Sequence, residues 1–203
     1  MTQKEKRDLC MLYDASFSDE PEQELYICKD LCWEYNQIKP SLIEQRTAIM
    51  KKILGKTGER FRIEQPFWCD CGYNIEIGEN FYANHGLTIL DGAKVTFGDN
   101  VFIAPDCGFY TAGHPIDPEQ RNKGLEYAYP ITIGNDVWIG GGVKVMPGVT
   151  IGNNVVIGGG SVVVKDIPDG VIAAGNPCRI IRKITGEDKS KYHEVPDKFK
   201  KEK

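Results

Sequence analysis

A chain of 203 residues, 41% apolar, with 25 Lys and Arg against 29 Asp and Glu and a formal net charge of −4, is long enough for one core-bearing domain and an appendage. No basic stripe points to nucleic acid, and no apolar run approaches membrane-spanning length. Met1 to Asp14 is charged and lacks the apolar core of a signal peptide, so a cytoplasmic protein is expected, its seven cysteines reduced thiols rather than a disulfide framework.

Residues 1 to 60 are expected to form a small α-helical subdomain, because glycines are few and apolar residues recur at helical steps. Leu9, Leu12 and Tyr13 fit one helical face. Leu25, Cys28, Leu31, Cys32 and Tyr35 recur at three- and four-residue steps behind Pro21. Ser41-Leu-Ile-Glu44 reads as a capping box after Pro40, opening a third helix through Leu42, Arg46, Ile49, Met50, Ile53 and Leu54 to Gly55 and Gly58. These stripes pack on each other or on the β-rich remainder of the chain, and Tyr13 with Asp14 is the polar pair suited to closing over a substrate.

Phe61 to Gly72 reads as the lead-in to a repeat that begins at Ile75. Ile75-Glu-Ile77-Gly78 matches Val95-Thr-Phe97-Gly98 at a distance of twenty residues, which predicts a two-residue irregularity around Asp91 to Thr96. Phe97 to Ile133 is thirty-six residues, a multiple of six, although Tyr110 to Pro130 contains no hexads. That segment is expected to be an extruded functional loop, stiffened by Pro115, Pro118 and Pro130. His114 lies between Gly113 and Pro115, where the backbone holds the imidazole in one direction.

From Ile133 to Pro168 six consecutive hexads open on Ile or Val, and Val137, Val143, Val149 and Val155 occupy the fifth place. Gly, Asn and Asp between them tolerate positive φ and let the chain turn. Three corners close an eighteen-residue coil, and coils stack at about 4.8 Å, the pattern of a parallel β-helix. The solenoid is expected over 61–180, with the inserted loop at 110–130. After Pro168 the pattern relaxes through Gly170 to Pro177, ending the prism, and 181–203 reads as a charged tail with a short helix at most.

The cysteines give no paired C-x-x-C ligands. Cys28 and Cys32 are four apart, Cys69 and Cys71 two apart, and Cys10, Cys107 and Cys178 stand alone, so no metal ligand set is expected. Cys107, near the loop, is a small buried hydrophobe or a nucleophile.

The chain resembles the hexapeptide-repeat acyltransferases, most closely the maltose and galactoside O-acetyltransferases. The likeness is carried by the helical unit, Phe81-Tyr-Ala-Asn84, Thr111-Ala-Gly-His114-Pro, Pro130-Ile-Thr-Ile-Gly134-Asn-Asp-Val-Trp138-Ile-Gly, Val145-Met-Pro-Gly-Val-Thr-Ile-Gly152 and Gly175-Asn-Pro-Cys-Arg179. The resemblance implies a mainly β protein built on a left-handed parallel β-helix, and a homotrimer with active sites in the clefts between neighbouring prisms. It also implies acetyl-CoA as co-substrate, a sugar or glycoside acceptor, and no required metal.

The chemistry is consistent with this. A sugar hydroxyl is scarcely ionised at neutral pH, so attack on a thioester needs a base poised near pH 7, a task suited to histidine. Of three histidines only His114 lies in the stiffened loop; it would take the hydroxyl proton during direct attack and return a proton to the departing thiolate. His85 is a packing residue or an acceptor contact, and His193 is solvated. The resemblance implies that Asp70, Asn84 and Asp91 bind sugar hydroxyls and orient His114, with Asp14, Tyr82 and Glu126 as further acceptor-site candidates. Asp70 in Cys69-Asp-Cys-Gly looks like the maltose type, and Gly92 departs from the second Asp of the galactoside type. For acetyl-CoA it implies a wall at Trp138, backbone lining at Gly141 and Gly159, and Val164 beside them. Lys165, Arg179 and Arg182, with Lys183, are the cations for its phosphates. The alternatives are a same-fold enzyme acting on a polysaccharide, Nod-factor or antibiotic hydroxyl, and a purely structural β-helix.

Overall fold

Strands of two to four residues, each contributing one or two side chains to the interior, stack into three flat walls in the computed structural model, which describes residues 1–15 and 19–192. His193 and the Lys-rich end from Lys198 to Lys203 lie outside the described residues. The first wall stacks Phe61–Ile63, Phe81–Ala83, Phe102–Ile103, Trp138–Ile139, Val156–Ile157 and Val171–Ala174. The second stacks Phe67–Cys69, Leu87–Leu90, Gly108–Tyr110, Lys144–Val145 and Val162–Val163, and the third Ile75–Ile77, Val95–Phe97, Ile131–Ile133 and Thr150–Ile151. All these neighbours pair in parallel, and the chain visits the walls in rotation, making a β-solenoid of about six turns.

Alternation decides which side chains enter the core. Ile77, Phe97, Ile133 and Ile151 form one inward column, Ile103, Ile139, Ile157 and Ala173 another, and all are buried. Phe97 meets Phe81 and Phe109 edge-on, at centroid distances of 5.2 and 4.9 Å. The third corner, where the third wall returns to the first, carries a polar ladder. Asp99 N–H donates to Asn135 Oδ1 at 2.8 Å, Asn135 N–H to Asn153 Oδ1 at 2.9 Å, and Asn153 N–H to Asp169 Oδ1 at 2.7 Å. A β-carbon on Gly134 would lie 2.8 Å from the Gly152 carbonyl, so the coil spacing itself demands glycine there.

Register locates the irregularities. Phe61 pairs with Phe81, Ile89 with Phe109 and Ile77 with Phe97, each twenty residues apart, so the first two coils carry two extra residues. The surplus falls at the second corner both times, at Asp70–Asn74 and again at Asp91–Lys94, and the loop beginning at Thr111 leaves from that corner of the following coil. Coiling therefore begins at Phe61, ahead of the first hexad at Ile75, and the first coil lacks the hexad pattern because of its longer corner. Beyond the hexads Val171–Ala174 continues the first wall, and Arg179–Lys183 adds to it antiparallel as its last strand.

The amino-terminal helices are α1 (Gln3–Asp8), α2 (Asp19–Gln37) and α3 (Ile43–Ile53). The face expected from Leu9, Leu12 and Tyr13 does not form: Cys10 takes φ 57°, Leu9 and Leu12 are exposed, and Tyr13–Asp14 is a strand. The capping box at Ser41 is also absent, since α3 starts after Leu42 with no side-chain cap. Helix α2 buries Cys28, Cys32 and Tyr35, and α3 buries Arg46, Ile49, Met50 and Ile53. Arg46 Nη2 donates to the Ile63 carbonyl at 2.6 Å and to Glu64 Oε2 at 2.8 Å, and the Tyr35 hydroxyl donates to the same carbonyl. The bracket fastens both helices to the first coil. No helix among the described residues is long and apolar enough to cross a membrane.

Arg46→Ala leaves the buried Ile63 carbonyl and Glu64 short of a donor. It is expected to destabilise the fold by about 3 kcal/mol, seen as a lower Tm in calorimetry; an unchanged Tm would mean that the bracket does not hold the helices.

Candidate active site

Three stacked departures at the second corner build a polar edge. In the lower two coils, Asp91 Oδ1 accepts from the N–H groups of Asp70 at 3.0 Å and Cys71 at 2.9 Å, while Asn74 Nδ2 donates to the Asp91 carbonyl at 2.7 Å. Asp91 is fully buried, so the carboxylate expected to meet an acceptor instead shapes the corner beneath it. Asp70, partly exposed beside it, is pushed up to about 6, first by burial and then by the charge of Asp91.

The loop above is anchored by Thr111, fully buried, whose Oγ1 donates to the Leu90 carbonyl at 2.7 Å and accepts from Ala93 N–H at 2.9 Å. Ala112–Gly113 and Leu125–Ala128 run antiparallel, with helix α4 (Pro118–Asn122) between them. Tyr13–Asp14 joins as a third strand, Tyr13 opposite Glu126 and Asp14 opposite Leu125. Backbone pairing, not a helix, thus brings the amino-terminal polar pair to the loop.

His114 projects from this small sheet with its side chain 52% exposed. Its Nδ1 lies 3.1 Å from the Leu125 carbonyl, which can only accept, so Nδ1 carries a proton and Nε2 is the nitrogen left to exchange one. Nε2 is 3.7 Å from Glu126 Oε1, and Glu126 Oε2 accepts from the Tyr13 hydroxyl at 2.8 Å. Burial and the neighbouring carboxylate hold Tyr13 well above the usual phenol range, so it remains a donor. The arrangement can accept a proton at Nε2 and stabilise the resulting imidazolium against Glu126. Glu126, expected among the acceptor contacts, has both oxygens turned to Tyr13 and His114. Tyr13–Glu126 pairing spans 113 residues, and no local pattern could have announced it.

A second group of residues lies elsewhere on the same chain. Asn84 sits at the first corner, its Oδ1 accepting from His85 N–H at 2.8 Å, and His85 Nδ1 meets the Gln65 carbonyl at 2.5 Å. Tyr82, Phe102 and Trp138 stand in register on the outer surface of the first wall, the last two about half exposed. Gly141 and Gly159 turn the same first corner higher up, where a β-carbon on Gly159 would crowd the Gly141 carbonyl at 3.1 Å. From Asn84 to Asp91 the chain crosses the whole second wall, about 20 Å at strand rise.

The expected phosphate cations separate too. Val164 and Lys165 are exposed at the second corner, and Arg179, whose Nη1 donates to the Cys178 carbonyl at 2.8 Å, is exposed on the last strand. Arg182 is instead forked onto Asp188, with Nη1 to Oδ2 at 2.7 Å and Nη2 to Oδ1 at 2.5 Å, so an anion must compete with that carboxylate for it. Cys107 is fully buried with Sγ 3.2 Å from the Gly140 carbonyl, and burial pushes its thiol up, which suits a core residue and not a nucleophile.

Residues 11–58 match the family described as maltose acetyltransferase hexapeptide capping motif, and residues 130–165 match the bacterial transferase hexapeptide repeat. A putative acetyltransferase of Saccharomyces cerevisiae is 56% identical over 87% of this chain and 90% of its own length. The galactoside O-acetyltransferase of Escherichia coli is 51% identical over 81% of each chain. Among solved structures, a maltose O-acetyltransferase from Clostridium difficile 630 superposes with a TM-score of 0.89 at 48% identity, over 91% of this chain and 98% of that one. A galactoside acetyltransferase in complex with coenzyme A gives 0.91 at 44% identity, over 97% of both.

The raised Asp70 value has a signed consequence. Ionising Asp70 costs the folded state nothing below the ordinary carboxylate range, and the cost grows as pH rises to about 6 and then levels off. Asp70→Asn is therefore expected to raise stability at pH 7 by up to about 3 kcal/mol, with the gain vanishing by about pH 3. Denaturant melts at the two pH values check this; an equal effect at both would contradict it.

Proposed function

This chain belongs to the hexapeptide-repeat O-acetyltransferases of the maltose and galactoside type, and we propose that it transfers the acetyl group of acetyl-CoA to a sugar hydroxyl with His114 as general base. The observation that carries the catalytic assignment is the Tyr13–Glu126–His114 chain, which holds the ring through Nδ1 and sets a carboxylate 3.7 Å from Nε2. As the acceptor oxygen attacks the thioester carbonyl, Nε2 takes its proton and Glu126 stabilises the positive charge that develops. The tetrahedral adduct collapses by breaking the carbon–sulfur bond, and the imidazolium returns the proton to the departing thiolate. Asp70, partly exposed beside this edge, would accept a hydrogen bond from the sugar, with Asp14 on the neighbouring strand as a further contact.

The group needed for acetyl-CoA stands on another face of the prism: the apolar wall of Trp138, the side-chain-free corner at Gly141 and Gly159, and the Arg179 cation. Tyr82 and Asn84 stand with it. A ring of three copies, in which the second corner of one prism meets the first wall of the next, would bring the two groups together and cover the exposed Phe102 and Trp138. The site is thus read as shared between subunits of a homotrimer, with the acceptor a sugar or glycoside.

His114→Ala is expected to lower kcat by about 10² to 10⁴ with little change in KM for acetyl-CoA; near-full turnover would exclude it as the base. Arg179→Ala should raise KM for acetyl-CoA more than it lowers kcat, and unchanged coenzyme A affinity by calorimetry would remove it from the site. Sharing is tested by mixing. Co-refolded His114→Ala and Asn84→Ala chains, each impaired alone, are expected to recover up to about a quarter of wild-type activity, the share of random interfaces carrying both native residues. No recovery above the separate variants would place the whole site within one chain.

A further inference from the structure

The acetyl-transfer edge makes no use of a second cluster that only the folded chain reveals. Cys28 and Cys32, one turn apart on α2, face Cys69 at the end of a second-wall strand, and all three are buried. Cys28 Sγ lies 3.4 Å and Cys32 Sγ 3.7 Å from Cys69 Sγ, and the three sulfurs all fall within 4.8 Å of one another. A cation with metal–sulfur bonds of about 2.3 Å holds its sulfurs about 3.8 to 4.0 Å apart in tetrahedral or trigonal geometry. The two contacts to Cys69 fall just short of that distance, and small side-chain rotations would open them to it.

We propose that Cys28, Cys32 and Cys69 form a trithiolate site for one soft, thiophilic metal cation per chain, separate from the acetyl-transfer chemistry. The donor set defines the ligand class: three sulfurs, with no histidine or carboxylate in the group among the described residues, favour a soft d¹⁰ cation over magnesium or calcium. The elements supplying them are rigid, a helix interior and a ladder strand, so the donors are held together before any cation arrives. Of the three, Cys28 borders a cavity of about 290 Å³ lined also by Leu31, Ile53, Cys71 and Tyr73. Binding exchanges three S–H protons, released to solvent, for three sulfur–metal bonds, with no change of oxidation state.

Cadmium titration of the full chain, kept reduced with a phosphine, tests this through the thiolate-to-metal charge-transfer absorption in the ultraviolet. Saturation at one cadmium per chain is expected. Cys32→Ala and Cys69→Ala should each weaken binding at least about 100-fold, and Cys10→Ala, which removes an exposed thiol outside the cluster, should leave it unchanged. X-ray absorption of the cadmium-loaded unmodified protein should count at least three sulfur neighbours, a measurement that decides the matter even where a variant fails to fold. No charge-transfer band, stoichiometric binding that survives loss of Cys32 or Cys69, or fewer than three sulfurs would overturn the proposal.

Discussion

The stacking distance between coils is the constraint on which the remaining structure depends. Parallel strands about 4.8 Å apart leave no room for a side chain where one corner sits on another, so glycine, asparagine and aspartate hold the turns and their side chains or backbones bond to the coil above. Gly134 under Gly152 and the Asp99–Asn135–Asn153–Asp169 ladder are the local expression of this. The same spacing puts Ile77, Phe97, Ile133 and Ile151 in direct contact, so burial is continuous along the axis and each coil stabilises its neighbours.

A scaffold this regular can vary only outward, and here it varies at one corner. Two residues are added at Asp70–Asn74, two at Asp91–Lys94, and some twenty in the loop from Thr111, each above the last. Stacking turns these insertions into a pocket edge: Asp91 shapes the corner that presents Asp70, Thr111 fastens the loop to Leu90, and the loop carries His114. The amino-terminal strand then lends Tyr13 to Glu126. Buried polar groups are therefore spent on geometry, and the partly exposed ones, Asp70 and His114, face outward where chemistry can reach them.

Between this edge and the surface formed by Tyr82, Asn84, Trp138 and Gly141 lies a full wall of the prism, which makes assembly part of the proposed mechanism. Phe102 and Trp138, about half exposed, are the apolar surface that such an assembly would cover. The helical unit has a different task. Through Arg46 and Glu64 it fastens α2 and α3 to the first coil, and through Cys28 and Cys32 it meets the strand ending at Cys69, one residue before Asp70.

Much of the solenoid was legible in the linear chain, because hexads are local: an aliphatic residue every six positions and a turn residue after it declare a coil wherever they occur. Ile133 to Pro168 could be read this way, and the thirty-six residues from Phe97 to Ile133 already implied that the phase survives the loop. Where corners are longer, as from Phe61 to Gly72, the period is hidden, and strand register shows how the coil closes. Helix positions failed where backbone geometry or tertiary pairing overrode propensity, at Cys10 with its positive φ and at Tyr13 drawn into a strand. His114 stood out locally, held between glycine and proline. Its partnership with Glu126 and Tyr13, the burial of Asp91, the capture of Arg182 by Asp188 and the meeting of Cys28, Cys32 and Cys69 depend on contacts between distant or irregularly spaced residues. Those had no signal along the chain, because the fold alone sets the distances between groups that sequence separation leaves unrelated.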